Sequence, residues 1–117
     1  MGTWGTSTGD RVTTKQKDDR SSNAKREYKE AFIDKHGYLF CERCRKNNGG
    51  LSASHIVSEK WACEDGKADL CWDLTNLEIL CNDCHMSFEN LGNWIRGLWL
   101  SARLKGEKFI SFIKKHK

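Results

Sequence analysis

Apolar positions are sparse at the start of this chain and gather into short stripes further on. Over residues 2–23 the sizeable apolar side chains are Trp4 and Val12, set among Thr, Ser, Gly, Lys and Asp. That composition predicts a flexible polar tail over 1–23. From 24 to 36 (AKREYKEAFIDKH), Tyr28, Ala31 and Phe32 recur at helical spacing and Gly37 follows as a stop, which predicts a short amphipathic helix covering the core. Two apolar-containing runs, 38–40 and 51–57, flank Asn47-Asn48-Gly49-Gly50. An Asn-Gly step between such runs predicts a hairpin, with His55 late in it. Residues 58–75 read as an irregular acidic connection of a length that is often functional. The run Asn76-Leu-Glu-Ile-Leu80 then leads into a helix heading toward Asn90. Beyond it, Trp94, Ile95, Leu98 and Trp99 mark one apolar stripe and Phe109, Phe112 and Ile113 another, so 93–117 reads as a helical segment whose stripes are core.

A chain of 117 residues that is 38% hydrophobic fits one domain with a modest core, which a metal or cross-link would reinforce. It holds no apolar run of membrane-spanning length, and its polar first residues lack a leader pattern. The expectation is a protein made and kept inside a cell, away from membranes. In that reducing setting the six cysteines read as metal ligands before disulfides.

Net charge is only +4, but it is unevenly spread. Residues 93–117 carry seven Lys or Arg against Glu107 alone, and 61–92 carry seven acids against Lys67 alone. A basic segment beside an acidic one suits a cation site flanked by a phosphate-binding surface, although each charge taken singly is equally compatible with ordinary solvation.

Cys41-x-x-Cys44 and Cys81-x-x-Cys84 repeat the spacing that turns two thiolates toward one tetrahedral ion. Two such pairs close a site, so a structural zinc held by Cys41, Cys44, Cys81 and Cys84 is expected, with its binding energy added to that of folding. Cys63 and Cys71 lack this spacing and read as partly buried thiols, a share in metal binding being the lesser alternative.

Interleaved with the cysteines are Ser54-His55-Ile56, Asn76 and, directly after Cys84, His85. The order Cys-x-x-Cys, Ser-His-Ile, Asn-Leu-x-x-Leu-Cys-x-x-Cys-His resembles the HNH endonuclease family, especially its zinc-containing phage and bacterial members, over roughly 38–89. The resemblance implies a small α+β fold: a ββα-metal (HNH) motif with a four-cysteine zinc site over 38–90, flanked by helices. It implies hydrolysis of DNA phosphodiesters, as nicking or double-strand cleavage, in the cytoplasm of a bacterial or phage-infected host cell. His55 resembles the general base, Asn76 the asparagine that fixes the loop and orients that base, and His85 a ligand of a catalytic Mg²⁺ or Mn²⁺ ion. An imidazole titrating near pH ~6.5 suits the first role without a large shift. The family commonly has Asp or His before the base as a second ligand. Here Ser54 is a weak substitute, which leaves the remaining coordination to waters, DNA oxygens or an acid from 59–73.

Double-stranded DNA is therefore the expected partner, bound through phosphates by Arg43, Arg45, Lys46, Lys60, Arg96 and Arg103. Trp94 and Trp99 could stack on bases but read first as core. The competing reading is a zinc-stapled nucleic-acid-binding module that has lost cleavage, and Ser54 is its best argument.

Overall fold

The computed structural model describes residues 2–90 and 92–106. In these residues two small antiparallel sheets and four helices make an α+β fold. The first sheet pairs β1 (Thr3–Gly5) with β2 (Arg11–Thr13), and Trp4 lies opposite Val12. Helix α1 follows at once and runs Thr14–His36. Thr13 and Gln16 form a reciprocal capping box at its start. At its end Gly37 takes φ 87° and donates its N–H to Ile33, a left-handed stop that glycine adopts without steric cost.

The polar tail predicted over 1–23 is thus corrected: residues 3–13 form a hairpin, and α1 begins ten residues before the predicted 24. The reason is tertiary. Val12 and Trp4 pack on Val57, Ala62, Cys63, Ala68 and Cys71, while Ser7 donates from its backbone N–H and its hydroxyl to Asp69. Two apolar side chains suffice when a core lies beneath them. On α1 the buried stripe is Ser21, Ala24 and Phe32 with Tyr28 half-buried, whereas Ala31 faces solvent.

The second correction concerns the hairpin expected around Asn48-Gly49. Residues 38–50 form no strand. Instead β3 (Leu51–His55) pairs antiparallel with β4 (Leu77–Cys81), putting Leu51 opposite Cys81 and His55 opposite Leu77. All five β4 residues are buried, so that strand is the better partner for β3 than the short run 38–40. Phe40 joins Phe32, Ala53 and Ile79 in a cluster between α1 and this sheet.

Residues 56–76 connect the two strands and are more ordered than the irregular stretch predicted there. They contain α2 (Glu59–Glu64), whose first turn Ser58 caps through the Trp61 N–H, and two short 3₁₀ turns, Ala68–Cys71 and Leu74–Asn76. After β4 come α3 (Asn82–Glu89) and α4 (Asn93–Leu104). On α4, Trp99 and Ala102 are buried with Ile56 and Phe88, in keeping with a core stripe, but Trp94 is exposed. Of the predicted segment 93–117, the stripe of Phe109, Phe112 and Ile113 lies outside the described residues. No helix among the described residues is long and apolar enough to cross a membrane.

If residues 3–13 belong to the core, Val12→Ala costs about 1–3 kcal/mol of unfolding free energy in urea denaturation. Unchanged stability is the result a free tail would give.

Candidate active site

The four-cysteine cluster forms where two turns meet. Cys41 and Cys44 lie in a knuckle closed by Cys41 N–H to Lys46 O and Arg45 N–H to Cys41 O, with Arg45 held at φ 68° just past the second thiol. Cys81 ends β4 and stands at the N-cap of α3, and Cys84 follows within the first turn. Because Glu42 donates its N–H to Ile79 O, the knuckle is docked beside β4 and the two pairs converge.

All four sulfurs lie within 4.8 Å of one another, and Cys44 and Cys81 are 3.6 Å apart. Ligands at about 2.3 Å from a tetrahedral zinc are separated by about 3.8 Å, so the donor set and its size fit that ion. Burial raises the Cys41 thiol pKa, but backbone N–H groups of Cys44, Cys81 and Arg43 outweigh it and bring it to about 7. That favours the thiolate at Cys41, whereas burial and the neighbouring thiols push the Cys84 thiol up. Cys63 and Cys71 stand apart in the core under the β1–β2 hairpin, and burial, helped by Cys63 and Glu59, pushes the Cys71 thiol up to about 12. An inert buried thiol is the outcome.

A cleft of about 480 Å³ opens along β3. Ser52, Ala53, Ser54 and His55 of β3 line it, together with His85 of α3, Arg96 of α4 and Lys25, Lys29 and Glu59. The two histidines named from sequence, 30 positions apart, therefore share one cavity, and Ser54 is in it. The cluster anchors the first turn of α3 at Cys81 and Cys84, which fixes the direction in which His85 leaves the helix.

His55 is buried, and its Nε2 lies 2.8 Å from the carbonyl oxygen of Cys71. A carbonyl can only accept, so Nε2 carries the proton and Nδ1 keeps the lone pair. Ser21 Oγ, at 3.4 Å, and Glu59 Oε1, at 3.7 Å, flank the same nitrogen. Ser21 donates to Glu59 at 2.8 Å, and Lys17 lies 3.8 Å from that carboxylate. Burial lowers the His55 pKa; Lys25 and Arg96 lower it further, against the opposing pull of the Cys71 carbonyl and Glu59. The net effect favours the neutral ring.

Asn76 is completely buried behind the cleft. Its Oδ1 accepts from Val57 N–H at 2.8 Å, and its Nδ2 donates to Val57 O at 3.1 Å and Leu70 O at 2.9 Å. Its own carbonyl accepts from Ile56 N–H. One amide thus ties both ends of the 56–76 connection, just past His55 and just before Cys71.

Three of the arginines expected at phosphates, Arg43, Arg96 and Arg103, are engaged within the molecule. The Arg43 side chain is 6% exposed, pairs with buried Glu78 and lies 3.9 Å over the Phe88 ring, so it is internal and not a surface contact for nucleic acid. Arg96, although it lines the cleft, is buried and donates to the carbonyls of Ile56 and His55, at 2.7 and 3.0 Å. Arg103 donates to Leu77 O and to Tyr28 Oη. Each guanidinium fixes backbone or a buried partner in place of reaching outward. Arg45, Lys46 and Lys60 are exposed but outside the cleft lining. Lys25 and Lys29, absent from the expected phosphate contacts, line the cleft. The signal was there in the row Lys17, Ser21, Lys25, Lys29, one residue in every four along α1.

Purified from zinc-replete medium, the chain should carry one zinc ion per molecule by elemental analysis, and Cys84→Ser should lose both zinc and cooperative unfolding. Cys63→Ser should keep the metal; zinc unchanged in the first variant or lost in the second contradicts this assignment. Compared with protein-family models, with curated proteins and with solved structures, the chain matches none.

Proposed function

We propose that this chain is a metal-dependent nuclease of the HNH type that hydrolyses DNA phosphodiester bonds. The observation that carries the reading is the shared cleft: His55 and His85 line one cavity beside a four-thiolate cluster, as a base and a cation ligand acting on one phosphate require. The succession β3, β4, α3, with the base ending the first strand and the second imidazole on the helix, agrees with a ββα-metal motif.

In this reading His55 Nδ1 takes a proton from a water molecule as that water attacks phosphorus, and the P–O bond to the leaving oxygen breaks. The Cys71 carbonyl holds the tautomer, Arg96 holds the backbone at 55 and 56, and Asn76 keeps the Cys71 end of the connection against the ring. The depressed basicity of His55 keeps it unprotonated and ready at neutral pH.

Among the described residues, the cleft holds no group of three His, Cys, Asp or Glu ligands. Its imidazole, hydroxyl and carboxylate donors, His85, Ser54 and Glu59, are compatible with Mg²⁺ or Mn²⁺ completed by water and substrate oxygens. Bound there, such an ion would neutralise charge building on the phosphate. The same sparse ligand set is what favours the second reading, a zinc-stapled nucleic-acid-binding module without cleavage.

Supercoiled plasmid decides between them. With Mg²⁺ or Mn²⁺ the protein should nick it, and His55→Ala, with its zinc retained, should be slower by about 10²–10⁴-fold; equal behaviour of the two proteins leaves only the binding module. The pH–rate profile supplies a second check. Because the His55 pKa is lowered, its acid limb should lie below pH ~6.5, and Lys25→Gln should move that limb upward. A limb above 6.5, or one unmoved by the substitution, is the contrary result.

A further inference from the structure

Beside the histidine cleft lies a second, shallower depression of about 330 Å³, bounded by Ser22, Lys25, Arg26 and Lys29. Lys25 and Lys29 line both hollows. The two depressions thus adjoin on α1, with Lys25 and Lys29 between the outer face of the helix and the cleft of His55 and His85. Spacings of three and four residues put all four residues of the shallower depression on one side of the helix.

The cations of this depression differ from the four described lysines that stand in ion pairs and, among the described residues, share their unpaired state with Lys35, Lys60 and Lys105. Lys15, Lys17, Lys46 and Lys67 each stand beside an aspartate. Among the described residues, no carboxylate lies within ion-pair distance of Lys25, Lys29 or Arg26, and Arg26 donates only to the neutral Asn23 amide. The one acid of the cleft, Glu59, is already engaged by Ser21 and Lys17. Lys25 and Lys29 are half-buried like charges one turn apart on α1, and like pairs at that spacing repel. A chain of external anions relieves that repulsion.

Resting on the nucleic-acid reading above, we infer that this face of α1 is a phosphodiester track, which seats the strand next to the scissile phosphate and leads it into the cleft. The occupant is a nucleic-acid backbone. A lipid surface is disfavoured because the lining is hydroxyl and cation alone, with no apolar side chain to insert. Since the track touches phosphates and not bases, it contributes affinity, register and salt dependence without sequence preference.

The test is fluorescence anisotropy with a short labelled DNA duplex over a range of salt, using full-length protein without added divalent ion. The track variant Lys25→Gln/Arg26→Gln/Lys29→Gln is compared with Lys15→Gln/Lys35→Gln/Lys67→Gln, which removes the same charge elsewhere. The track variant should bind about tenfold or more weakly, and the slope of log affinity against log salt should fall by about 2 to 3, as for three lost phosphate contacts. The control should stay close to the parent, and Lys25→Arg/Lys29→Arg should retain binding. Equal losses in the two triple variants, no loss in either, or a parent that does not bind overturns the track. Plasmid nicking separates this from the hydrolase reading: a parent that binds through the track but never nicks sinks the hydrolase alone, and undiminished binding and nicking by the track variant sink the track alone.

Discussion

Convergence of the four thiols is the constraint on which the rest depends. The knuckle at 41–44 and the β4–α3 junction come from distant parts of the chain, and their sulfurs meet within 4.8 Å. Neither turn has an apolar core of its own large enough to hold it; the cluster around them is Cys41, Leu80 and Cys81, with Leu51 and Cys84 against it. A metal at this point would cross-link the start of α3 to the sheet, and the direction of α3 is what brings His85 to the cleft that β3 lines. A metal held there would thereby also fix where His85 stands in the cleft.

The opposite wall is built by polar groups. His55 is oriented by a carbonyl from a 3₁₀ turn, that turn is tied to the strand by a buried asparagine, and the strand end is held by an arginine from α4. These groups form a linked network in which loss of one leaves buried polar atoms without partners. If His55 is the base proposed above, this network is what would hold it in position.

What was legible in the sequence followed from spacing along the chain. Paired cysteines two residues apart announce a knuckle whatever surrounds them, and the order of His55, Asn76 and His85 among them carried the expected cleft. What was hidden depended on tertiary partners. Trp4 and Val12 read as a tail because their core is formed by residues some fifty positions away. The Asn48-Gly49 step resembled a hairpin turn because local propensity cannot tell that β4, wholly buried, is the better strand for β3. Arg43, Arg96 and Arg103 looked like phosphate ligands because a sequence does not reveal that Glu78 and free carbonyl groups wait inside.

If His85 holds a cation in the cleft that His55 shares, both imidazoles lie close to that ion, and paramagnetic broadening tests this most directly. The long-range proton–nitrogen spectrum of the four histidines would be followed while Mn²⁺ is added below stoichiometry to the zinc-loaded protein. Signals from His55 and His85 should broaden together and first, with His36 unaffected. Broadening of only one of the pair, or of His36 ahead of both, would contradict it.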